Sequence, residues 1–300
     1  MRARYPDDEG FVEREGVRVF YEVYGAAEPT ILFLPGGALV PSRLWKGQVP
    51  YFARYCRVVT FDGRGTGKSD RPQDPAAYAE REFVADAIGV MDATATQQAI
   101  VIGPGRGAQR AALLAAEHGD RVLAAVMYAP DDWSRRDWVE AFLSPPKERY
   151  GDGWDRLSPN YFRRDFAGFA EWWTGFSFPE PHSTRQVEQG VEWALDGDAE
   201  TFMASAQGSG LSGDSLVELA GRLRCPVLVI CGERDVVGSP ALAERLAEAA
   251  ACGLVTFPGA GHQPGARYPV RFNLVLRDFV EEVMRAEGRL PPARRAASGR

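Results

Sequence analysis

Residues 99–120, AIVIGPGRGAQRAALLAAEHGD, decide how the rest of the chain is read. The opening AIVI is a short apolar run bounded by glycine, the pattern of a strand buried on both faces. Gly103-Pro104-Gly105-Arg106-Gly107 then forms a tight turn. Residues 109–118 are rich in alanine and leucine and stop at Gly119, which predicts a helix ended by a glycine cap. The stretch is therefore half of a βα unit, and its rhythm recurs on both sides. TILFLPGG and RVVTFDGRG precede it as buried strands, with an amphipathic segment at 43–55 and a helical period at 78–95. VLAAVMYAP, CPVLVICGERD and GLVTFPGAGH follow it as strands, with helices near 240–250 and 268–285. GFVEREGVRVFYEVYG alternates about Glu15-Gly16, as a β-hairpin does. Strands alternating with helices imply a mostly parallel sheet with helices on both faces.

The rhythm breaks between Asp131 and Gly213. Aromatics are dense there: Trp133, Trp138, Trp154, Trp172, Trp173 and Trp193, with Phe162, Phe166, Phe169, Phe176 and Phe178 among the phenylalanines. One sheet domain (residues 1–130 and 214–285) with a helical insertion (131–213) and a flexible basic tail (286–300) is the expected organisation. The 300-residue chain is 45% hydrophobic, ordinary for a globular protein, and its net charge of −6 offers no general attraction to nucleic acid or anionic membrane. No run reaches the roughly 18 apolar residues that span a bilayer. No secretory leader pattern stands at the N-terminus. Cys56, Cys225, Cys231 and Cys252 lack CxxC spacing, so they read as reduced core thiols of a cytoplasmic protein.

Two nucleotide motifs compete for attention. GTGKS suggests a phosphate-binding loop, but that loop needs glycine five residues before Gly67, where Asp62 stands. This segment reads instead as a brace for the turn after its strand. Gly103-x-Gly105-x-x-Ala108 matches a dinucleotide fingerprint, and a helix N-terminus welcomes a pyrophosphate. Its position after several strands argues against that use, as does an acid (Asp131 or Asp132) beyond the usual spacing of about 20 residues.

Five features in order resemble the α/β-hydrolase superfamily over roughly residues 11–285: FLPGG, FDGRGTGKSD, the turn at 103–107, Asp235 at a strand end, and His262 in a glycine- and proline-rich loop. The resemblance implies an α/β-hydrolase fold whose insertion is a cap. It also implies that residue 105 is the nucleophile position of a G-x-S-x-G elbow. Here that position is glycine. Glycine keeps the strained turn but removes hydroxyl or thiol acyl-enzyme chemistry. An engineered knockout is more often alanine, so a natural glycine is the preferred reading over an inactivated serine hydrolase.

The resemblance assigns His262 as the base and Asp235 as the acid that orients it, with Glu233 and Asp131 as fallback acids. The backbone N–H of Arg106 and one from Gly37 or Ala38 form the oxyanion hole. The Arg106 side chain either holds an anionic substrate group or points to solvent. Trp133, Trp138 and Trp172 are candidate pocket walls. His118 is assigned to its own helix terminus, and His182 has no assignment. The expected protein is an enzyme without cofactor or metal, acting on a small apolar or polyketide-like substrate. General acid/base chemistry of the His262–Asp235 pair would drive water-mediated hydrolysis, or elimination, cyclisation or carbon–carbon bond chemistry of the kind related folds perform in bacterial secondary metabolism. The rival is a non-catalytic binder of small molecules.

Overall fold

The computed structural model describes residues 4–290. Eight strands form one sheet: β1 (Asp8–Arg14), β2 (Val17–Tyr24), β3 (Thr30–Phe33), β4 (Arg57–Phe61), β5 (Ala99–Pro104), β6 (Val122–Tyr128), β7 (Val227–Gly232) and β8 (Gly253–Phe257). Their spatial order is β1-β2-β4-β3-β5-β6-β7-β8. The β1–β2 and β2–β4 pairs are antiparallel and the others parallel. Glu15 and Gly16 both take positive φ (52° and 77°), so the β1–β2 hairpin turns as its sequence predicts.

The central strands are apolar throughout because both faces are covered. Ile100 and Ile102 pack with Phe33, Trp45 and Phe272 on one face. Ala99 and Val101 pack with Leu32, Val84 and Leu114 on the other. Chain order reverses between neighbours β3 and β5, because β3 leads to β4 on one side and β5 continues on the other. The loops leaving these two strands diverge and open a crevice at their carboxyl ends, where α/β sheets bind ligands.

The helix after β5 spans Arg106–Glu117 and ends at His118. Gly119 does not cap it in the left-handed region; it opens a single 3-10 turn, Gly119–Arg121. His118 is thus the terminal residue of its helix. The amphipathic segment at 43–55 is a 3-10 turn (Ser42–Gly47) followed by a short helix (Val49–Phe52), since Pro50 and Gly47 interrupt any longer one. Between β6 and β7 the helices Arg136–Phe142, Pro159–Arg164, Phe166–Ser177, Thr184–Ala194 and Ala199–Gln207 build a second layer over the crevice. Trp138, Phe162, Phe169, Trp172 and Phe202 form its interior. The next helix, Gly213–Ala220, packs against the sheet through Leu216 and Ala220. The last helix runs Pro269–Ala286, so only the start of the expected tail is described; residues 291–300 lie outside the described residues.

No helix among the described residues is long and apolar enough to cross a membrane. All four cysteines are free, and burial pushes the Cys56 thiol up to about 12. The FDGRGTGKSD loop braces itself: Asp62 accepts from the backbone N–H of Ser42 and Lys68, and Ser69 Oγ donates to the Asp62 carbonyl. Its signature is a fold device, as its missing glycine predicts.

Candidate active site

Gly105 links β5 to its helix with φ 55° and ψ −121°, a conformation costly for any residue with a side chain. Gly107 is required for a different reason: a Cβ there would stand 2.6 Å from the Pro35 carbonyl oxygen, on the neighbouring loop after β3. The turn presents no side chain at residue 105. A Cβ built at residue 105 would lie 3.5 Å from His262 Nε2, so the histidine faces the missing side chain's position.

His262 is buried and held from several directions. Its Nδ1–H donates to Asp235 Oδ2 at 2.9 Å, and its backbone N–H donates to the Ser177 carbonyl of the cap at 3.2 Å. The preceding residue, Gly261, donates to Glu180 Oε1. The Tyr128 hydroxyl, donating to Gln263 and accepting from the Gly265 N–H, anchors the loop beyond. Asp235 is itself fixed by backbone N–H groups of Val237 and Gly238. Burial alone would pull the imidazole pKa down; the charges of Asp235 and Asp131 and the Asp235 hydrogen bond outweigh it and raise the value.

The fallback acids fall elsewhere. Glu233 accepts from the Gly259 N–H and makes no contact with the imidazole. Asp131 sits on the other side of His262 from Asp235, with Oδ2 only 3.3 Å from the same Cβ position at residue 105. It is 5% exposed, and its Oδ2 accepts from Trp133 Nε1 at 3.0 Å. Burial raises its carboxyl to about 6, against the opposing pull of His262, Arg106 and the Trp133 hydrogen bond. His182 is exposed at a positive φ of 64°, away from the site.

The Arg106 side chain does not point to solvent. It is 4% exposed, pairs with buried Glu80 at 2.5 Å, and donates to the cap carbonyls of Ser205 at 2.7 Å and Gly208 at 3.1 Å. Its Nη groups thus fasten the cap. Arg110, one helical turn on, also pairs with Glu80 and donates to the carbonyls of Pro35 and Gly36. The two arginines set the cap and the loop after β3 against one buried carboxylate. Glu80 and Arg110 left no mark in the sequence, since ordinary helix composition explains both.

A pocket of about 840 Å³, counting the part open to solvent, lies between the crevice and the cap. Gly36, Gly37, Ala38, Gly105 and Arg106 line its floor with Asp131 and His262, and Trp133, Trp173, Phe178, Trp193 and Phe202 line its walls. Trp133 stands where expected. Trp138 and Trp172 do not: both are buried in the cap's own interior, and Trp172 Nε1 donates to the Asp152 carbonyl. Trp173, one residue further along the same helix, turns toward the pocket instead. No group of histidine, cysteine and carboxylate side chains among the described residues is arranged to hold a metal.

Residues 29–264 match the alpha/beta hydrolase fold family, and the chain belongs to it. It is 28% identical over 290 residues to the putative carbamate hydrolase RutD of a Caulobacter species, across 87% of this chain and 95% of that one. It is 26% identical over 262 residues to the bifunctional esterase/perhydrolase DCH of Acinetobacter calcoaceticus, across 83% and 91% of the two chains. Among solved structures, the enol-lactonase of Burkholderia xenovorans superposes with a TM-score of 0.74 at 21% identity, over 91% of this chain and 100% of that one. A thermophilic esterase of Thermogutta terrifontis gives 0.76 at 20%, over 92% and 99%. These two structures share the fold.

Proposed function

We propose that this protein hydrolyses a carbonyl substrate of the ester, lactone or carbamate type without a serine nucleophile. His262 supplies acid/base chemistry and Asp235 orients it. The observation that carries the reading is the placement of His262 Nε2 at 3.5 Å from where a side chain at residue 105 would begin, with Nδ1 bonded to Asp235. With no hydroxyl at the elbow, acid/base groups gathered there can act on a water instead. The space left by the absent side chain suits one water, whose share of the liquid is about 30 Å³. The backbone N–H of Arg106, first in its helix and without an intrahelical acceptor, lies at the positive end of the helix dipole, and Arg106 lines the pocket. With an N–H of Gly37 or Ala38 it would receive the oxyanion.

The relatives' names favour hydrolysis over elimination, cyclisation or carbon–carbon bond chemistry. The aromatic walls favour a small apolar acyl or aryl group. The localisation this implies is cytoplasmic, in keeping with four unpaired thiols.

The test is turnover of 4-nitrophenyl esters and of a 4-nitrophenyl carbamate. His262→Ala is expected to abolish it, and Asp235→Asn to lower it. Fluorophosphonate probes are expected to leave every pocket serine unlabelled. Full activity in His262→Ala would remove the histidine from the mechanism, absence of turnover in the wild type would favour a binding protein, and stoichiometric serine labelling would mean that a conventional nucleophile exists.

A further inference from the structure

Two carboxylates flank His262, and the dyad uses only one of them. Asp235 takes Nδ1. Asp131 reaches the other side from the carboxyl end of β6. Its Oδ2 and His262 Nε2 both lie within 3.5 Å of one point, the Cβ position at Gly105. Its other oxygen, Oδ1, is buried and has no hydrogen-bond partner among the described residues. A buried carboxylate oxygen left unsatisfied is costly, so the position calls for a functional explanation. Backbone space supports it: a Cβ at residue 105 would stand 3.3 Å from Asp131 Oδ2 and 3.5 Å from His262 Nε2, and glycine leaves that position open.

Resting on the hydrolytic reading above, we infer that Asp131 is the general base of the reaction, acting on a water held over Gly105, and that His262 is the general acid. The division of labour follows from the charges. The imidazole, set between two carboxylates, is favoured in its protonated form, which is the form that donates. The groups facing Asp131 are His262 from the loop after β8, Arg106 and Glu80 beneath it, and Trp133 from its own loop.

The step balances as follows. Asp131 takes one proton from the water while its oxygen bonds to the substrate carbonyl carbon. The carbonyl π pair moves to oxygen, toward the N–H of Arg106. As the tetrahedral adduct collapses, the bond to the leaving oxygen or nitrogen breaks, and that atom takes the proton of His262 Nε2. Asp131 is then neutral and the imidazole neutral. Proton transfer from Asp131 to His262, through a second water in the emptied pocket, restores both. No covalent enzyme intermediate forms.

The experiment combines kinetics, isotope labelling and imidazole titration. With 4-nitrophenyl butyrate and a 4-nitrophenyl carbamate, Asp131→Asn is expected to lower kcat by roughly 100-fold or more, the usual yield of general-base catalysis. Asp131→Glu, which keeps the base, is expected to recover part of the rate. Single turnover in oxygen-18 water should label the released acid and leave Asp131 unlabelled. In NMR titrations, Asp131→Asn is expected to lower the His262 pKa. Wild-type rate in Asp131→Asn alongside an inactive His262→Ala overturns the role of Asp131 and leaves the hydrolytic reading standing. Label found in the Asp131 carboxylate overturns it in favour of a covalent nucleophile. An unmoved His262 titration shows that the two groups are not neighbours and overturns it independently of any substrate. Wild-type protein that turns over neither compound overturns both readings.

Discussion

At residue 105 the local backbone and the local chemistry have been separated. The φ of 55° and ψ of −121° are those of a turn built to present a side chain, yet glycine presents none. Gly105→Ser is therefore expected to cost on the order of 1–3 kcal/mol. The contact at 3.3 Å with Asp131 Oδ2 adds to the conformational strain. Urea unfolding monitored by tryptophan fluorescence measures it; an unchanged midpoint would mean that the turn relaxes. Asp131 offers a second measurement at this scale. Its folded carboxyl, raised to about 6, lies above the ordinary value of 3.8, so the folded state holds a proton that the unfolded chain releases. The stabilisation linked to that proton is complete below pH 3.8 and is lost as pH rises through 6. Asp131→Asn removes the cost of ionising a buried carboxylate. The variant should gain on the wild type between pH 4 and pH 7.5, by on the order of 2 kcal/mol. An offset that does not change with pH would refute the buried charge.

At the scale of elements, the strands and the helix after β5 were legible because burial on both faces and helical period leave strong marks. β3, β5, β6 and β7 all follow their apolar runs. The site was legible as far as chain order reaches: Gly105, Asp235 and His262 each end or follow a strand. What order does not encode is side. Asp131 reads from sequence as a spare partner for the histidine, and only the packing of β6 beside β5 sets it against Nε2 rather than Nδ1. Trp172 and Trp173 differ by one residue, hence by about 100° around a helix, and an insertion with apolar residues on several faces gives no period to choose between them. Glu80 was silent for a related reason, since a carboxylate in a helix's first turn reads as a surface residue. It is 2% exposed and paired with two buried arginines. Glu80→Ala leaves both unpaired and is expected to cost about 3–5 kcal/mol, read as a lowered urea midpoint. A loss under about 1 kcal/mol would show that solvent reaches the cluster.

At the scale of the whole molecule, the pocket has a floor from the sheet domain and walls from the cap, and the Arg106 side chain joins them. Arg106→Met keeps the backbone N–H at the elbow but removes the donors to Ser205 and Gly208. Faster hydrogen exchange across Ala199–Gln207 is the expected result, with the sheet unaffected. Exchange unchanged in that helix would mean that apolar contacts alone hold the cap. The walls themselves decide what fits. Trp173→Ala should lower KM for 4-nitrophenyl octanoate relative to the acetate, and an unaltered ratio would place the acyl chain elsewhere.

The fastening between the two layers has a consequence for how such a molecule can change. Arg106 grips the cap through two main-chain carbonyls, which every amino acid supplies. The grip is blind to the cap's sequence, so a wall residue outside the cores, such as Trp173, can be exchanged without undoing it. Recognition is thereby uncoupled from attachment. A library randomised at Trp173 would sample new specificities on a scaffold whose floor stays in place, and lineages drifting at the same position would have the same freedom.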